Sequence, residues 1–263
     1  MAGIDTAAAE AFEKYLVPTI FGPWSRLLVD QVRPKPGDRL LDIACGTGAA
    51  ARYAATLVTP GGSVSAIDID AGMLAHGRSL DPQGAVDWRQ GDALALPWED
   101  GSFDAVVCHQ GLQFFPDRAR GLAEMHRVLR RGGRLAISVY CALPYCPGHW
   151  AVARALEKHD VDPAGIQRPY SFGDPVALGD AVQAAGFRDL AVIRRQLEAR
   201  FASPRAFVES LAAGGPSSRH ALEQLSPEGL EEVLAEVAET LAEFVDEQGL
   251  RLITTTNFAV ATR

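Results

Sequence analysis

Apolar residues recur along the first half of the chain in short continuous runs, each closed by Gly, Pro or Asp and followed by a stretch with helical spacing. That rhythm predicts a parallel sheet with helices on both faces. The predicted strands are Arg39–Ala44, Ser63–Asp68, Val86–Gln90, Phe103–Cys108 and Arg134–Tyr140, spaced to leave one crossover helix between neighbours. Helices are expected at Ala49–Leu57, Ala71–Ser79 and Arg118–Leu129. The last stops at Arg130-Arg131-Gly132-Gly133, where basic residues and then glycine end a helix.

Beyond Tyr140 the rhythm changes. His149–Lys158 and Pro175–Ala185 read as helices and Leu190–Phe201 and Arg251–Thr262 as strands, with helical stretches at Pro204–Ala213 and Pro227–Glu247 between the two strands. This insertion is longer than a connection needs and reads as a helical cover over a binding site. Its Phe201, Phe207, Leu211, Leu222, Leu225, Leu230, Val233, Leu234, Val237, Leu241 and Phe244 form an apolar face. Core packing, a greasy acceptor pocket and a dimer contact are three uses that the pattern leaves open. Upstream of the first strand, Phe12, Tyr15, Phe21 and Trp24 give an aromatic helical lead-in that packs on the sheet or closes as a lid.

Composition narrows the class. With 263 residues, 48% hydrophobic and 22% charged, the chain has the make-up of an ordinary globular protein. A net charge of −8 and a pI near 5.3 supply none of the Lys/Arg excess that holds a polyanion, so a nucleic-acid partner is not expected. No stretch of about 18 uncharged apolar residues predicts a membrane span, and Asp5, Glu10 and Glu13 stand where a secretory signal needs a positive head, so a cytoplasmic protein is expected. The four cysteines, Cys45, Cys108, Cys141 and Cys146, form no Cys-x-x-Cys pair and read as small buried hydrophobes. Cys141, Cys146 and His149 suggest a zinc set but lack a fourth ligand, so no metal is expected.

The densest chemistry lies in Leu40-Leu41-Asp42-Ile43-Ala44-Cys45-Gly46-Thr47-Gly48-Ala49-Ala50-Ala51, a buried strand running through small residues into a helix. Such a loop lets backbone approach a ligand and aim free N–H groups at it. About twenty residues on, Asp68 ends the next strand with a carboxylate placed for ribose hydroxyls. Two ligand classes use that geometry. Gly46-Thr-Gly48-Ala-Ala-Ala51 satisfies the dinucleotide fingerprint, which keeps an NAD(P)-dependent oxidoreductase in view. Asp42 argues the other way, because its charge at the mouth of the strand repels a pyrophosphate and favours a cationic amino group. Asp92 beside Gly91 suits an adenine amino group. His109-Gln110-Gly111-Leu112-Gln113-Phe114-Phe115-Pro116 places polar and aromatic groups at the carboxyl edge, where open α/β sheets bind ligands.

The segments LLDIACGTG, AIDIDAGML, QGDALALPWEDGSFDAVVCHQGLQFFPD and MHRVLRRGGRLAI, covering about residues 38–140, resemble class I S-adenosylmethionine-dependent methyltransferases. The branch they are most similar to includes the ubiquinone/menaquinone C-methyltransferases and many small-molecule methyltransferases. The resemblance implies a Rossmann-like α/β fold: a seven-stranded, mostly parallel sheet with helices on both faces and the last strand antiparallel. One domain would span 1–263, with a lead-in and lid at 1–36, a cofactor core at 37–140, and the remaining sheet with its substrate cover at 141–263. It implies that S-adenosylmethionine meets Asp42, Ala44, Cys45, Gly46 and Gly48 at its methionine end. Ala44 stands where many members have glycine. Asp68 would hold the ribose, Ile69 and Met73 the adenine faces, and Asp92 and Ala93 the adenine edge. His109 would offer its backbone carbonyl, and Phe21 and Trp24 would close over the sulfonium.

A sulfonium is already an activated methyl donor, so placing the nucleophile and excluding water are the main tasks. A base helps if the acceptor must lose a proton, and His109 and His149 are the candidates. Tyr15, Gln113, Phe114 and Tyr145 are the expected acceptor pocket. The leading expectation is methyl transfer to a small, apolar or aromatic acceptor, by a monomer or homodimer. The nicotinamide oxidoreductase and a non-catalytic S-adenosylmethionine-binding protein are the alternatives.

Overall fold

The computed structural model describes residues 6–215 and 217–263. At its centre is β1 (Arg39–Ile43), buried from Leu40 onward. Leu40 packs into the apolar cluster on one face of the sheet, and Leu41 and Ile43 into the cluster on the other. Burial on both faces is why this strand is a continuous apolar run broken by one residue, Asp42. β1 pairs in parallel with β2 (Ser63–Asp68) and β4 (Phe103–His109). β3 (Val86–Gln90) continues beyond β2 and β5 (Leu129–Tyr140) beyond β4, both parallel. β8 (Gly249–Thr262) enters antiparallel between β5 and β6 (Arg188–Phe201), giving the order β3-β2-β1-β4-β5-β8-β6. The order reverses between β1 and β4, which opens a crevice at their carboxyl ends.

The sheet has eight strands, not seven. The expected helix Pro227–Glu247 ends early, as α-helix Pro227–Thr240, and the chain then forms β7 (Val245–Asp246), which pairs with β8. Gly249, at φ +104°, makes this hairpin, and Asp246 accepts the Gln248 N–H inside it. β5 also starts earlier than expected, because Leu129 pairs with Phe103 and Gly132 donates to Arg263.

Helical segments run from α1 (Ala7–Ala11) through a π-helical stretch (Phe12–Phe21) into α2 (Gly22–Gln31). Pro18 has no N–H to give a regular turn. The Gly22 N–H closes a wider one on the Val17 carbonyl, where a Cβ would stand 2.8 Å from that oxygen. The crossovers on the β1–β5 half are α3 (Ala49–Val58), α4 (Ala71–Ser79) and α5 (Arg118–Val128). Asp70 caps α4 by accepting from Gly72 and Met73 at 2.7 and 3.0 Å. Between β5 and β6 lie α6 (Pro147–Lys158), α7 (Ala164–Gln167) and α8 (Pro175–Ala184). Between β6 and β7 lie α9 (Pro204–Gly214), α10 (Ser218–Leu222) and α11 (Pro227–Thr240).

The apolar face of this insertion is mostly core: Phe207, Leu222, Val233, Val237 and Leu241 are buried. The lead-in and α9 pack closely, since a Cβ on Gly214 would lie 2.6 Å from the Phe12 nitrogen. Among the described residues no helix is long and apolar enough to cross a membrane.

Two glycines of the first loop predict different sensitivities. Gly48, at φ +80°, would place a Cβ 2.1 Å from the Trp88 ring. That ring is held by Asp81 at 3.1 Å and already lies against Gly77. Gly46, at φ +56°, would place its Cβ within 4 Å of nothing. Urea denaturation should show Gly48→Ala losing about 2–5 kcal/mol, from left-handed strain plus overpacking, and Gly46→Ala only about 1–2. Equal losses would contradict the packing argument.

Candidate active site

A cavity of about 500 Å³ opens at the carboxyl ends of β1, β2, β4 and β5, within the ordinary range for small-molecule sites. Its floor is the first loop. Ala44, Gly46 and Gly48 all take positive φ, so the chain turns sharply back along the strand ends. Ala44 is accommodated because residue 111 is glycine: a Cβ there would stand 2.6 Å from the Ala44 Cβ. Cys45 donates its N–H to the Ile67 carbonyl at 3.1 Å, which ties the loop to β2.

Two carboxylates organise this floor. Asp68 Oδ2 accepts the Gly46 N–H at 2.7 Å and Oδ1 accepts the Asp70 N–H at 2.9 Å. Burial raises the pKa of Asp68, and those two N–H groups act against the rise. Asp42 is fully enclosed. Its Oδ2 accepts the Ala51 N–H in the first turn of α3 at 3.0 Å, while its Oδ1 is buried without a partner. Burial, reinforced by the charge of Asp68, pushes Asp42 up to about 8. A buried carboxyl oxygen left unsatisfied is costly, and a cationic donor in the cavity relieves it.

Ile69, Met73, Asp92 and Ala93 line the same end of the cavity. Ile69 is 72% exposed, an apolar side chain left open at the strand end. Asp92 is an exposed turn aspartate whose Oδ1 accepts the Leu94 N–H at 2.8 Å. Phe21 lines the cavity and meets the His109 ring edge-on at 5.8 Å. The segment carrying Phe21 is fastened to the loop: Glu13 accepts from Thr47 Oγ1 and pairs with Arg52, both at 2.5 Å.

Both candidate histidines reach the cavity. His109 Nδ1 lies 2.7 Å from Ser138 Oγ, and Nε2 is buried without a partner. Ser138 Oγ also accepts the Gln110 N–H, at 3.3 Å, which ties the His109 ring to the chain that follows it. His149 sits between the rings of Tyr170 and Phe207, at 5.4 and 5.3 Å. Burial lowers His109 to about 3 and His149 to about 4, so both are neutral near pH 7.

Gln113 and Phe114 line the cavity as well, but four expected residues do not. Trp24 is on the face of α2 turned into the core, where its Nε1 donates to Thr254 at 2.9 Å and its ring meets Phe258; Ser25 takes the place in the lining. Tyr15 is 40% exposed on the outer face of its helix, beneath Lys14. Tyr145 is 51% exposed and carries Arg194 over its ring. Gly48 faces Trp88 and not the cavity. Conversely, the structure adds Tyr140, Ile166, Arg168 and Tyr170 to the lining. Tyr140 ends β5 at the same carboxyl edge, a signal present in the sequence. The turn from Ala164 to Tyr170 has no apolar period to reveal it. Among the described residues no three His, Cys, Asp or Glu are placed to hold a metal.

Comparison with known proteins finds similarity over the segment that builds this cavity floor. A family described as a methyltransferase domain matches residues 41–137. Nocamycin O-methyltransferase of Saccharothrix syringae is 34% identical over 207 residues, 72% of this chain and 72% of that protein. Demethylmenaquinone methyltransferase of Beutenbergia cavernae is 40% identical over 124 residues, 47% of this chain and 50% of that protein. The chain thus spans about half the length of that relative. The structure of phosphoethanolamine N-methyltransferase 2 from Haemonchus contortus, in complex with S-adenosyl-L-methionine, superposes with a TM-score of 0.61 at 22% identity, over 98% of this chain and 56% of that one, a likeness of fold.

The buried Asp42 carries a prediction about stability. Its folded pKa is raised from 3.8 to about 8, so the folded state binds this proton more tightly than the unfolded state. Stability from this group is full below the unfolded value and is lost as pH rises through about 8. Asp42→Asn keeps an acceptor for the Ala51 N–H and removes the titration. The ligand-free variant should match the parent near pH 4 and exceed its Tm by at least about 3 °C near pH 8.5. Parallel Tm–pH curves for the two proteins would refute the assignment.

Proposed function

The chain belongs to the class I S-adenosylmethionine-dependent methyltransferases, and on that premise we propose that it transfers a methyl group from S-adenosylmethionine to a small, apolar or aromatic acceptor. The observation that carries this reading is the unpartnered Asp42 Oδ1 at the cavity floor. An ammonium group satisfies it and draws it into its ionised form, whereas the pyrophosphate of a dinucleotide would hold it protonated and give it no charge partner.

When bound, S-adenosylmethionine supplies a methyl group already activated by its sulfonium. The residues present suit it: Asp42 for the amino-acid ammonium, Asp68 for the ribose hydroxyls, Ile69 and Met73 for the adenine faces, Asp92 and Ala93 for its edge. Phe21, on the segment that Glu13 fastens to the loop, shields the cavity from water. Tyr140, His149, Tyr170 and Phe114 wall the remaining space with flat surfaces that orient an acceptor. We assign His109 and His149 positioning roles, since imidazoles with pKa values of about 3 and 4 are weak bases near pH 7. The expected setting is the cytoplasm, with a small molecule and not a nucleic acid as partner.

Titration calorimetry with S-adenosylmethionine, S-adenosylhomocysteine and NADH tests the reading. The first two should bind and NADH should not. Asp68→Ala removes the acceptor of the Gly46 N–H and should weaken binding about 10–100-fold, the worth of hydrogen bonds to a charged group. NADH binding without response to S-adenosylmethionine would overturn the proposal. Binding with no S-adenosylhomocysteine formed across a panel of aromatic acceptors would favour the non-catalytic reading.

A further inference from the structure

Asp42, Asp68, Asp70 and Asp92 line the cavity, and all four belong to the β1, β2 and β3 side of the sheet edge. The lining contains one Lys or Arg among the described residues, Arg168. It stands on the other side, in the turn Arg168–Tyr170 that follows β5 and α7. Its guanidinium lies over the Phe114 ring, 5.6 Å from the centroid. Among the described residues no carboxylate lies within ion-pair reach of it.

The cavity is therefore electrically two-ended. Its acidic end suits a cation. Its other end pairs a fork of N–H donors with an aromatic wall, a combination that recognises a planar anion. Apart from Arg168 and the four acids, the described lining residues are uncharged near neutral pH: burial drives the Tyr140 and Tyr170 hydroxyls up and the His109 and His149 imidazoles down. Among the described lining residues no second Lys or Arg competes with Arg168 for a negative group, and the histidines are weak bases.

Resting on the methyltransferase reading, we propose that the acceptor is a flat conjugated acid that enters as its anion, an enolate, phenolate or carboxylate, with its charge steered by Arg168 and its plane against Phe114, Tyr140 and Tyr170. The transfer then balances without a base. The acceptor anion forms the bond to the methyl carbon as the methyl–sulfur bond breaks and its electron pair passes to sulfur. The negative and positive charges disappear together, and no proton has to leave.

The test uses a matched pair of probes, 2-hydroxy-1,4-naphthoquinone, ionised at neutral pH, and its neutral 2-methoxy counterpart. Both are titrated calorimetrically into the full chain, with and without S-adenosylhomocysteine. The anion should bind at least about tenfold tighter, the scale of one charge-assisted contact at a partly solvated rim. Added salt should shrink the difference. Arg168→Gln should abolish it, and Arg168→Lys should retain part of it. Equal affinity for the two probes, binding of neither, or a preference that survives Arg168→Gln overturns the inference. The two readings fail separately: absent S-adenosylhomocysteine binding refutes the donor, and an absent charge preference refutes the acceptor class.

Discussion

Asp42 is the polar residue in the apolar run of the central strand, tied by one oxygen to the start of α3 and left with the other unpartnered. Much of the cavity floor can be read as the means of holding it there. β1 is buried on both faces, which fixes the side chain and removes water from it. The loop after β1 is bent by three positive-φ residues, so that its Gly46 N–H meets the second carboxylate, Asp68, at the edge of the same cavity. A carboxyl held this way is destabilising in the empty protein and favourable once a cation arrives, so binding and stability pull in opposite directions at one atom.

The covering elements extend the same logic. A π-helical segment is uncommon, and such segments occur frequently at functional sites. Here the Gly22 N–H closes the wider turn on the Val17 carbonyl, and the segment presents Phe12, Leu16, Ile20 and Phe21 to the cavity. Glu13 reaches from that segment to Thr47 and Arg52, so cover and cofactor loop share one hydrogen-bonded network. On the far side α9 leans on the same segment through Gly214. Two chain segments far apart in sequence therefore close the cavity jointly.

What the sequence revealed and what it hid follow from range. The parallel strands, the loop, Asp42 and Asp68 were legible because each depends on local pattern: a buried run, small residues at a turn, a carboxylate at a strand end. The hairpin containing β7 was hidden because Val245 and Asp246 pair through the Gly249 turn, while helical spacing extends up to them. The place of Trp24 is not legible because a lead-in helix has two apolar faces, and only tertiary packing decides that Trp24 meets Phe258 while Phe21 meets His109. Tyr15 and Tyr145 have the chemistry of pocket residues, but the backbone turns both outward. Arg168 is hidden in the sequence because its turn has no period and its neighbour Phe114 is 54 residues away.

The most direct test of this account is the proton count on binding S-adenosylhomocysteine near pH 7, obtained by calorimetry in buffers of different ionisation enthalpy. With Asp42 at about 8 in the empty protein, its carboxyl is mostly protonated at that pH and must ionise to meet the ligand's ammonium group. The account predicts release of close to one proton per ligand bound, absent in Asp42→Asn. Binding with no proton released, or with proton uptake, would show that Asp42 is not the seat of the cation.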